Sequence, residues 1–212
     1  GRILMVGHIL EYHPGVLLLK KLVDSGDLGK IYYIYSNRSN LGMIRSEENI
    51  LWSLAPHDIS VMLLLLNEMP SKVSAHGGFY LRKHIADVTV SVLEFPSGVK
   101  GHIFVSWLHP FKEQKLIVVG DKKMAVFDDV SSRGKLLLYS HRIEMKERVP
   151  VTTSAEPETV PFGSEEPLKE AARITRRPKV ELDAGPAPAE DIAKVLAKAF
   201  RARLARGAAV GV

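Results

Sequence analysis

The stretch Ile50–Asn67, ILWSLAPHDISVMLLLLN, decides how the rest of this 212-residue sequence is interpreted. Its apolar side chains recur at the spacing of one face of an α-helix, so a helix that buries this face is predicted. The apolar stripe comprises Leu51, Ala55, Ile59, Met62, Leu63 and Leu66. Proline is tolerated in the first turn of a helix. Pro56 is therefore predicted to mark where the helix starts, with His57 and Asp58 in its first turn.

His57 and Asp58 would then lie at the positive end of the helix dipole. That position favours an ionised aspartate and a neutral imidazole, which is the form that accepts a proton near pH 7. A poised base is one interpretation of this pair. The other is that Asp58 only caps the helix and that His57 fills space beside it, and the residues alone leave both open.

The composition excludes several classes of protein. The hydrophobic content of 46% is sufficient for one domain with a sizeable core. The longest apolar run, Val61–Leu66, is too short to span a membrane, and the first residues do not have the pattern of a cleavable leader. A chain without cysteine forms no disulfide or thiolate metal site, which is typical of a cytoplasmic protein. The eight histidines lack metal-ligand spacing, so no metal site is predicted.

The net charge of +5 comes from the C-terminal part of the chain, where ten Lys or Arg stand against five Asp or Glu from Leu168 onward. A globally basic nucleic-acid-binding protein is therefore not predicted. Residues 149–188 are proline-rich and are predicted as an extended arm or linker. Residues 189–212 are predicted as a basic amphipathic helix, which could lie on an anionic surface or pack its stripe on the parent domain.

Periodicity before residue 149 predicts an α+β domain. Val16–Val23 is predicted as a helix and Lys30–Leu41 as a strand. Six more strands with short connectors follow the central helix: Ser71–Tyr80, Ala86–Phe95, Val99–Leu108, Gln114–Val119, Lys123–Asp128 and Lys135–Tyr139. One apolar and one mixed face are typical of an antiparallel meander that is covered on one side. A large, open, predominantly antiparallel sheet with helices packed on one face is predicted.

The uncovered face of such a sheet must meet solvent or a second subunit. Phe104, Leu108 and Phe111 are expected near that face. Exposed apolar side chains of this kind favour a homo-oligomer through the open sheet face.

Four separated segments resemble one known family in consistent order. They are VGHILEYHPGV, YSNRSNLG, NILWSLAPHDISVML and LEFPSGVKGHIFVSWLHPFKEQKLIVVGDKKMAVFDD. Together they resemble the C-terminal substrate domain of the Gfo/Idh/MocA oxidoreductases, nearest to the sugar-nucleotide members that oxidise the 3-hydroxyl of UDP-N-acetylglucosamine. The resemblance implies a domain at residues 1–148, with 1–8 as the last strand of an N-terminal Rossmann domain that is absent from this chain.

The resemblance also implies hydride transfer between a CH–OH group of a sugar or sugar nucleotide and NAD or NADP. His57 matches the family's histidine at the helix start and is the implied base. Arg38, Asn37 and Asn40 would face the same cleft and bind substrate hydroxyls or a phosphate. The alternative is that they are ordinary solvated polar residues at the end of a strand.

Further candidates surround the implied base. Trp52 could stack on a sugar ring or belong to the core. Ser53 occupies the position at which many members carry the acid of a DxGxH-like motif. Asp58, a third candidate substrate contact, would point roughly 100° away from His57 around the helix. His8 and Tyr12 are the candidates on the cofactor side.

The chain also departs from the family pattern, because it contains neither the dinucleotide fingerprint nor the Glu-Lys-Pro lysine. Three hypotheses therefore follow for its function. The first is the substrate half of a nicotinamide-dependent sugar dehydrogenase, and the second is a non-catalytic sugar-binding or oligomerisation module derived from it. The third is a carrier whose basic tail docks on anionic surfaces.

Overall fold

The computed structural model describes residues 8–132, 134–146, 148–153 and 155–162. Within these residues the helices are α1 (Pro14–Asp24) and α2 (Ile50–Leu66), and a short 3-10 helix at Ile9–Tyr12 precedes them. The strands are β1 (Ile31–Ser39), β2 (Lys72–Gly78), β3 (Val88–Glu94), β4 (Lys100–Ser106), β5 (Glu113–Gly120), β6 (Met124–Asp128), β7 (Leu136–Tyr139), β8 (Arg142–Lys146), β9 (Val149–Thr153) and β10 (Glu158–Thr159). Each strand predicted between residues 30 and 139 is confirmed, with ends within about two residues.

Eight of the strands form one sheet in the order β10-β7-β6-β5-β1-β4-β3-β2. The prediction of a large, mostly antiparallel open sheet with helices on one face is confirmed. The predicted meander is wrong at one point, because β1 is inserted between β4 and β5. There β1 runs parallel to β4 and antiparallel to β5. Connector lengths reveal hairpins between consecutive strands, but they carry no signal for a strand inserted from earlier in the chain.

The two faces of the sheet have different surroundings, and β1 shows the division. Its residues Ile34 and Arg38 point toward the helices, on what we call the covered face, whereas Tyr35 and Asn37 point to the open face. Helix α2 approaches the covered face closely at Gly101 of β4. A Cβ atom built on Gly101 would lie 3.0 Å from the Met62 sulfur, so glycine permits this contact.

The prediction that the central helix starts at Pro56 is wrong, because α2 begins at Ile50. Asn49 caps it, and its side-chain oxygen accepts a hydrogen bond from the Trp52 N–H at 3.1 Å. Pro56 lies inside the helix and cannot donate the hydrogen bond that an ordinary residue would give to the Trp52 carbonyl. Burial of the apolar stripe before Pro56 offsets that loss, because Leu51 and Ala55 are in the core. His57 therefore lies about two turns from the positive end of the helix.

The region predicted as an extended arm begins with paired strands. Strand β9 forms a hairpin with β8, and β10 pairs with the edge strand β7 of the large sheet. Residues 163–188 of that arm, the predicted helix at 189–212 and residues 1–7 of the predicted strand remnant at 1–8 lie outside the described residues. No helix in the described part of the chain has both the length and the apolar character that a membrane crossing requires.

Candidate functional site

A buried ion pair joins β1 to α2 on the covered face. The Arg38 Nε donates to Asp58 Oδ2 at 2.8 Å, and Nη2 donates to Asp58 Oδ1 at 3.1 Å. Both side chains are at least nine-tenths buried, with exposures of 10% and 4%. Two parallel hydrogen bonds fix the orientation of both groups as well as their separation. Arg38 and Asp58, two of the predicted substrate contacts, are therefore brought together and bonded to each other.

His57 lies beside this pair and is half-buried. Burial lowers the pKa of its imidazole, the positive charge of Arg38 lowers it further, and Asp58 acts in the opposite direction; His8 adds a smaller lowering effect. The prediction of a neutral imidazole thus has a different physical cause from the helix dipole. Its Nδ1 atom is buried and has no hydrogen-bond partner among the described residues. A neutral imidazole can accept a proton, and because Nδ1 is enclosed, only Nε2 could do so from a bound molecule.

Ser53 and Trp52 precede His57 by about one helical turn. Ser53 is four residues before His57, so the two side chains share one side of α2. Both Ser53 and Trp52 are half-buried, which leaves part of each side chain accessible beside the histidine. Trp52 is neither fully in the core nor fully exposed, so its burial does not decide between a core residue and a residue that stacks on a sugar ring.

The predicted cleft shared by Asn37, Arg38 and Asn40 does not include Asn37. Because side chains alternate along a strand, Asn37 points to the open face, where its side chain donates a hydrogen bond to Glu113. Asn40 lies just beyond the end of β1 and is exposed, and its backbone N–H donates to the Ser106 carbonyl at 3.1 Å. The expectation that all three residues face one site is therefore wrong for Asn37.

The two candidates on the cofactor side lie at the start of the described chain. His8 is close enough to His57 to affect its pKa. Tyr12 lies in the 3-10 helix and is 38% exposed. This segment contacts α2, so both residues belong to the same region of the domain as His57.

The open face has its own polar groups, separate from His57. His102 stacks on Tyr35 with 4.6 Å between ring centroids, and burial lowers the pKa of His102. A groove of about 510 Å³ lies at the end of this face. It is lined by Phe111, Lys112, Glu113, Lys115, Asp128, Val130, Ser131 and Ser132. Since Glu113 and Lys115 project from the open side of β5, the groove lies on the side opposite His57.

The described residues do not fit the phosphates of a dinucleotide. Such groups are normally held where a glycine-rich turn leads from a strand directly into a helix. Here β1 is joined to α2 by residues 40–49, which contain one glycine, Gly42. No dinucleotide site is therefore assigned to the described residues.

These observations define a class of protein first: an α+β domain with a mixed open sheet, helices on one face, and a half-buried histidine above that face. Residues 16–126 match the family model described as the GFO/IDH/MocA C-terminal domain, which is just over half of the chain. The chain belongs to the GFO/IDH/MocA oxidoreductase family and carries its C-terminal domain.

Solved structures show the same fold. The UDP-N-acetylglucosamine 3-dehydrogenase GnnA from Acidithiobacillus ferrooxidans superimposes with a TM-score of 0.64 at 20% identity, over 96% of this chain and 62% of that one. An inositol dehydrogenase homolog from Azotobacter vinelandii, complexed with NADH and myo-inositol, gives 0.60 at 14% identity, over 80% and 50% of the two chains. The chain therefore spans less than two thirds of either protein.

Two curated proteins to which this chain is similar in sequence are named as hydratases and not as dehydrogenases. The 2,7-anhydro-N-acetylneuraminate hydratase of Escherichia coli K12 is 25% identical over 152 residues, which are 64% of this chain and 40% of that protein. The protein of that name from Mediterraneibacter gnavus is 29% identical over 89 residues, covering 37% and 23%. Both relatives bear a hydratase name, and this chain spans less than half of the length of either.

Proposed function

We propose that this chain is the substrate-binding and proton-transferring part of an NAD(P)-dependent oxidoreductase that acts on a CH–OH group of a sugar or sugar nucleotide. The observation that carries the proposal is the imidazole of His57. It is half-buried and biased toward its neutral form, and because its Nδ1 atom is enclosed by the protein, the other ring nitrogen, Nε2, is the atom that would accept the proton. A base that removes a hydroxyl proton near neutral pH needs these properties.

In the proposed reaction the neutral His57 accepts the proton of the substrate hydroxyl as the carbon is oxidised. NAD or NADP, as hydride acceptor, would be bound by a domain outside this chain. Arg38 and Asp58 neutralise each other, so the imidazolium that forms is not beside an unpaired buried charge. Placing a positive charge on His57 is disfavoured by burial, so the proton is readily released again after the reaction.

Substrate contacts are proposed for the residues that remain accessible near His57. Ser53 would donate or accept a hydrogen bond in place of a carboxylate, and Trp52 would offer an apolar ring face to the sugar. Asn40 would contact a more distant part of the substrate. His8 and Tyr12 would lie toward the nicotinamide. No substrate contact is proposed for Asn37, because its side chain faces the open side of the sheet.

The test compares the 212-residue chain with a two-domain protein in which a dinucleotide-binding domain of the family precedes it. NADH and NADPH binding is measured by calorimetry, and nicotinamide reduction is followed with a panel of sugars and sugar nucleotides. We expect substrate-dependent reduction by the two-domain protein and none by the chain alone. If no sugar supports reduction while sugars still bind, the non-catalytic sugar-binding module is the correct alternative.

The hydratase relatives raise a second candidate function. A hydratase adds water across a bond and also needs a side chain that moves a proton, so His57 alone does not separate the two reactions. The two-domain protein would therefore also be incubated with an anhydro sugar acid and its products analysed by mass spectrometry. Addition of water without substrate-dependent reduction of nicotinamide would favour the hydratase.

We also propose that the protein is cytoplasmic. A further part of the proposal is that two copies associate through the open face. That face exposes Val90 by 42% and Tyr33 by 43%, with Phe104 partly buried between their strands. Apolar side chains at the centre of a sheet are stabilised when a second copy covers them. Sedimentation velocity of the chain and of Val90→Lys would test this, since a charge at that position should shift the protein toward monomers. An unchanged sedimentation coefficient would count against this interface.

A further inference from the structure

The Arg38–Asp58 pair connects the end of the central strand to the middle of the helix that carries His57. Arg38 is the next-to-last residue of β1, and Asp58 directly follows His57 in α2. The guanidinium meets both carboxylate oxygens, at 2.8 and 3.1 Å. A planar fork on a planar carboxylate restricts rotation as well as distance, which a single hydrogen bond does not.

This restriction is transmitted to His57 through helix geometry. Consecutive side chains of an α-helix point about 100° apart, so fixing the direction of Asp58 toward β1 also fixes the direction of His57. Apart from a hydrogen bond of 3.0 Å from the Ile50 N–H to the Ala86 carbonyl at its first residue, α2 is held mainly by apolar side chains, whose contacts are not directional. The pair thus supplies an angular constraint that the apolar stripe cannot supply.

The charges that face His57 come from three elements. Arg38 reaches it from β1, Asp58 from α2 itself, and His8 from the residue before the 3-10 helix. Arg38 and His8 disfavour the imidazolium, and Asp58 favours it. The two charges of the intact pair nearly cancel. Removing Arg38 alone should therefore raise the proton affinity of His57, and removing Asp58 alone should lower it.

We propose that Arg38 and Asp58 form a positioning unit that sets the rotation of α2 on β1 and thereby aims the neutral His57 imidazole at the reacting hydroxyl. The inference rests on the proposed function, because it assigns the unit to the residue that accepts the proton. Neither Arg38 nor Asp58 is assigned a contact with the substrate. Both act through His57, and the exposed polar residues near it determine the contacts with the sugar.

The test is an imidazole ¹⁵N NMR titration of the labelled 212-residue chain, with His57 assigned by loss of its signal in His57→Gln. We expect the His57 pKa to rise in Arg38→Met and to fall in Asp58→Asn. A pair that only stabilises the fold would, when broken, loosen the site and move the His57 pKa upward in both variants. Lys115→Met, which removes the Lys115–Asp128 ion pair of the open face, is the matched control and should leave His57 unchanged.

A second variant, which keeps the charge, tests the positioning role even if Arg38→Met does not fold. Arg38→Lys keeps the charge but cannot form the fork, so the chain should fold with His57 still titrating low. In the two-domain protein we expect Arg38→Lys to lower kcat by about 10²-fold with little change in KM, because the base is misplaced while the sugar contacts remain.

Shifts of the same sign in both NMR variants, or full kcat in Arg38→Lys, would overturn the positioning role. If the wild-type two-domain protein shows no turnover, the proposed function fails on its own. The titration of the chain then still decides whether the pair controls His57.

Discussion

The covered and open faces of the sheet treat similar polar side chains in different ways, and neighbouring residues of β1 show how. Arg38 points under α2 and is 8% exposed, where it pairs with a buried carboxylate. Asn37 points to the open side and donates to the partly exposed Glu113. On the covered face a buried charge is costly unless it is paired, whereas on the open face water can replace a partner.

A similar contrast separates His57 from His102, both of which lie in the described part of the chain and have a lowered pKa. His102 lies on the open face against tyrosine rings, and burial alone lowers its pKa. His57 lies beside the covered face, where burial and a nearby guanidinium act together. Of these two histidines, His57 is the one that has an ion pair beside it, which is why the proposed site is placed there and not on the open face.

The largest effect is expected from breaking the buried pair. Asp58→Ala leaves the Arg38 guanidinium buried without its partner and should reduce the free energy of unfolding by about 3–5 kcal/mol. Glu113→Ala, the equivalent change on the open face, should cost about 1 kcal/mol. Urea unfolding of both variants measures the difference. Equal losses would mean that the two faces do not differ as described.

A packing test comes next in size. Gly101→Val places a branched side chain against the Met62 sulfur under α2 and should destabilise the fold by about 1–3 kcal/mol. Lys100→Val puts the same side chain on the open face, one residue earlier, and should stay within about 0.5 kcal/mol. Thermal unfolding gives both values. A neutral Gly101→Val would contradict the close approach of α2 to β4.

The start of α2 allows a smaller test. Asn49→Ala removes the side-chain oxygen that accepts from Trp52 N–H and should cost about 1 kcal/mol. Asn40→Ala is the control, because its exposed side chain caps no helix, and it should change stability by less than about 0.5 kcal/mol. If the helix instead began at Pro56, the two variants would behave alike in urea unfolding.

The smallest effect is a dependence on pH. The pKa of His57 is lowered from 6.5 in the folded protein, so below about pH 6.5 the unfolded chain binds more protons than the folded one. Its contribution to stability is complete above that pH and decreases as the pH falls toward the folded pKa. His57→Gln should therefore lose less stability than the wild type between pH 7.5 and 5. Parallel urea midpoints for the two proteins would contradict the lowered pKa.

The secondary structure was predictable because alternation along strands and the stripe of α2 are local patterns. The insertion of β1 was not, since the pairing of residues 31–39 with strands far later in the chain leaves no local signal. The start of α2 differs from the prediction because Asn49 caps the helix before Ile50, so that Pro56 falls inside the helix. Once a long apolar stripe can be buried, one lost hydrogen bond does not end a helix.

The candidate site was predicted in part for similar reasons. The stretch Ile50–Asn67 predicts that His57 and Asp58 are neighbours on one helix, and Arg38 is a candidate from its place at the end of a strand, but no pattern in the sequence predicts that Arg38 pairs with Asp58. Period-two alternation does place Arg38 on the same face as the buried Ile34, and a buried guanidinium requires an acid. That signal was available from the sequence. The partner was not, because it depends on how α2 lies across the sheet.

The most direct test of the central claim is the kcat of His57→Gln in the two-domain protein, compared with His76→Gln on the exposed strand β2. Removal of a general base should reduce kcat by about 10²- to 10⁴-fold, while the substituted surface histidine leaves it unchanged. Turnover at the wild-type rate by His57→Gln would contradict the assignment of His57 as the proton acceptor.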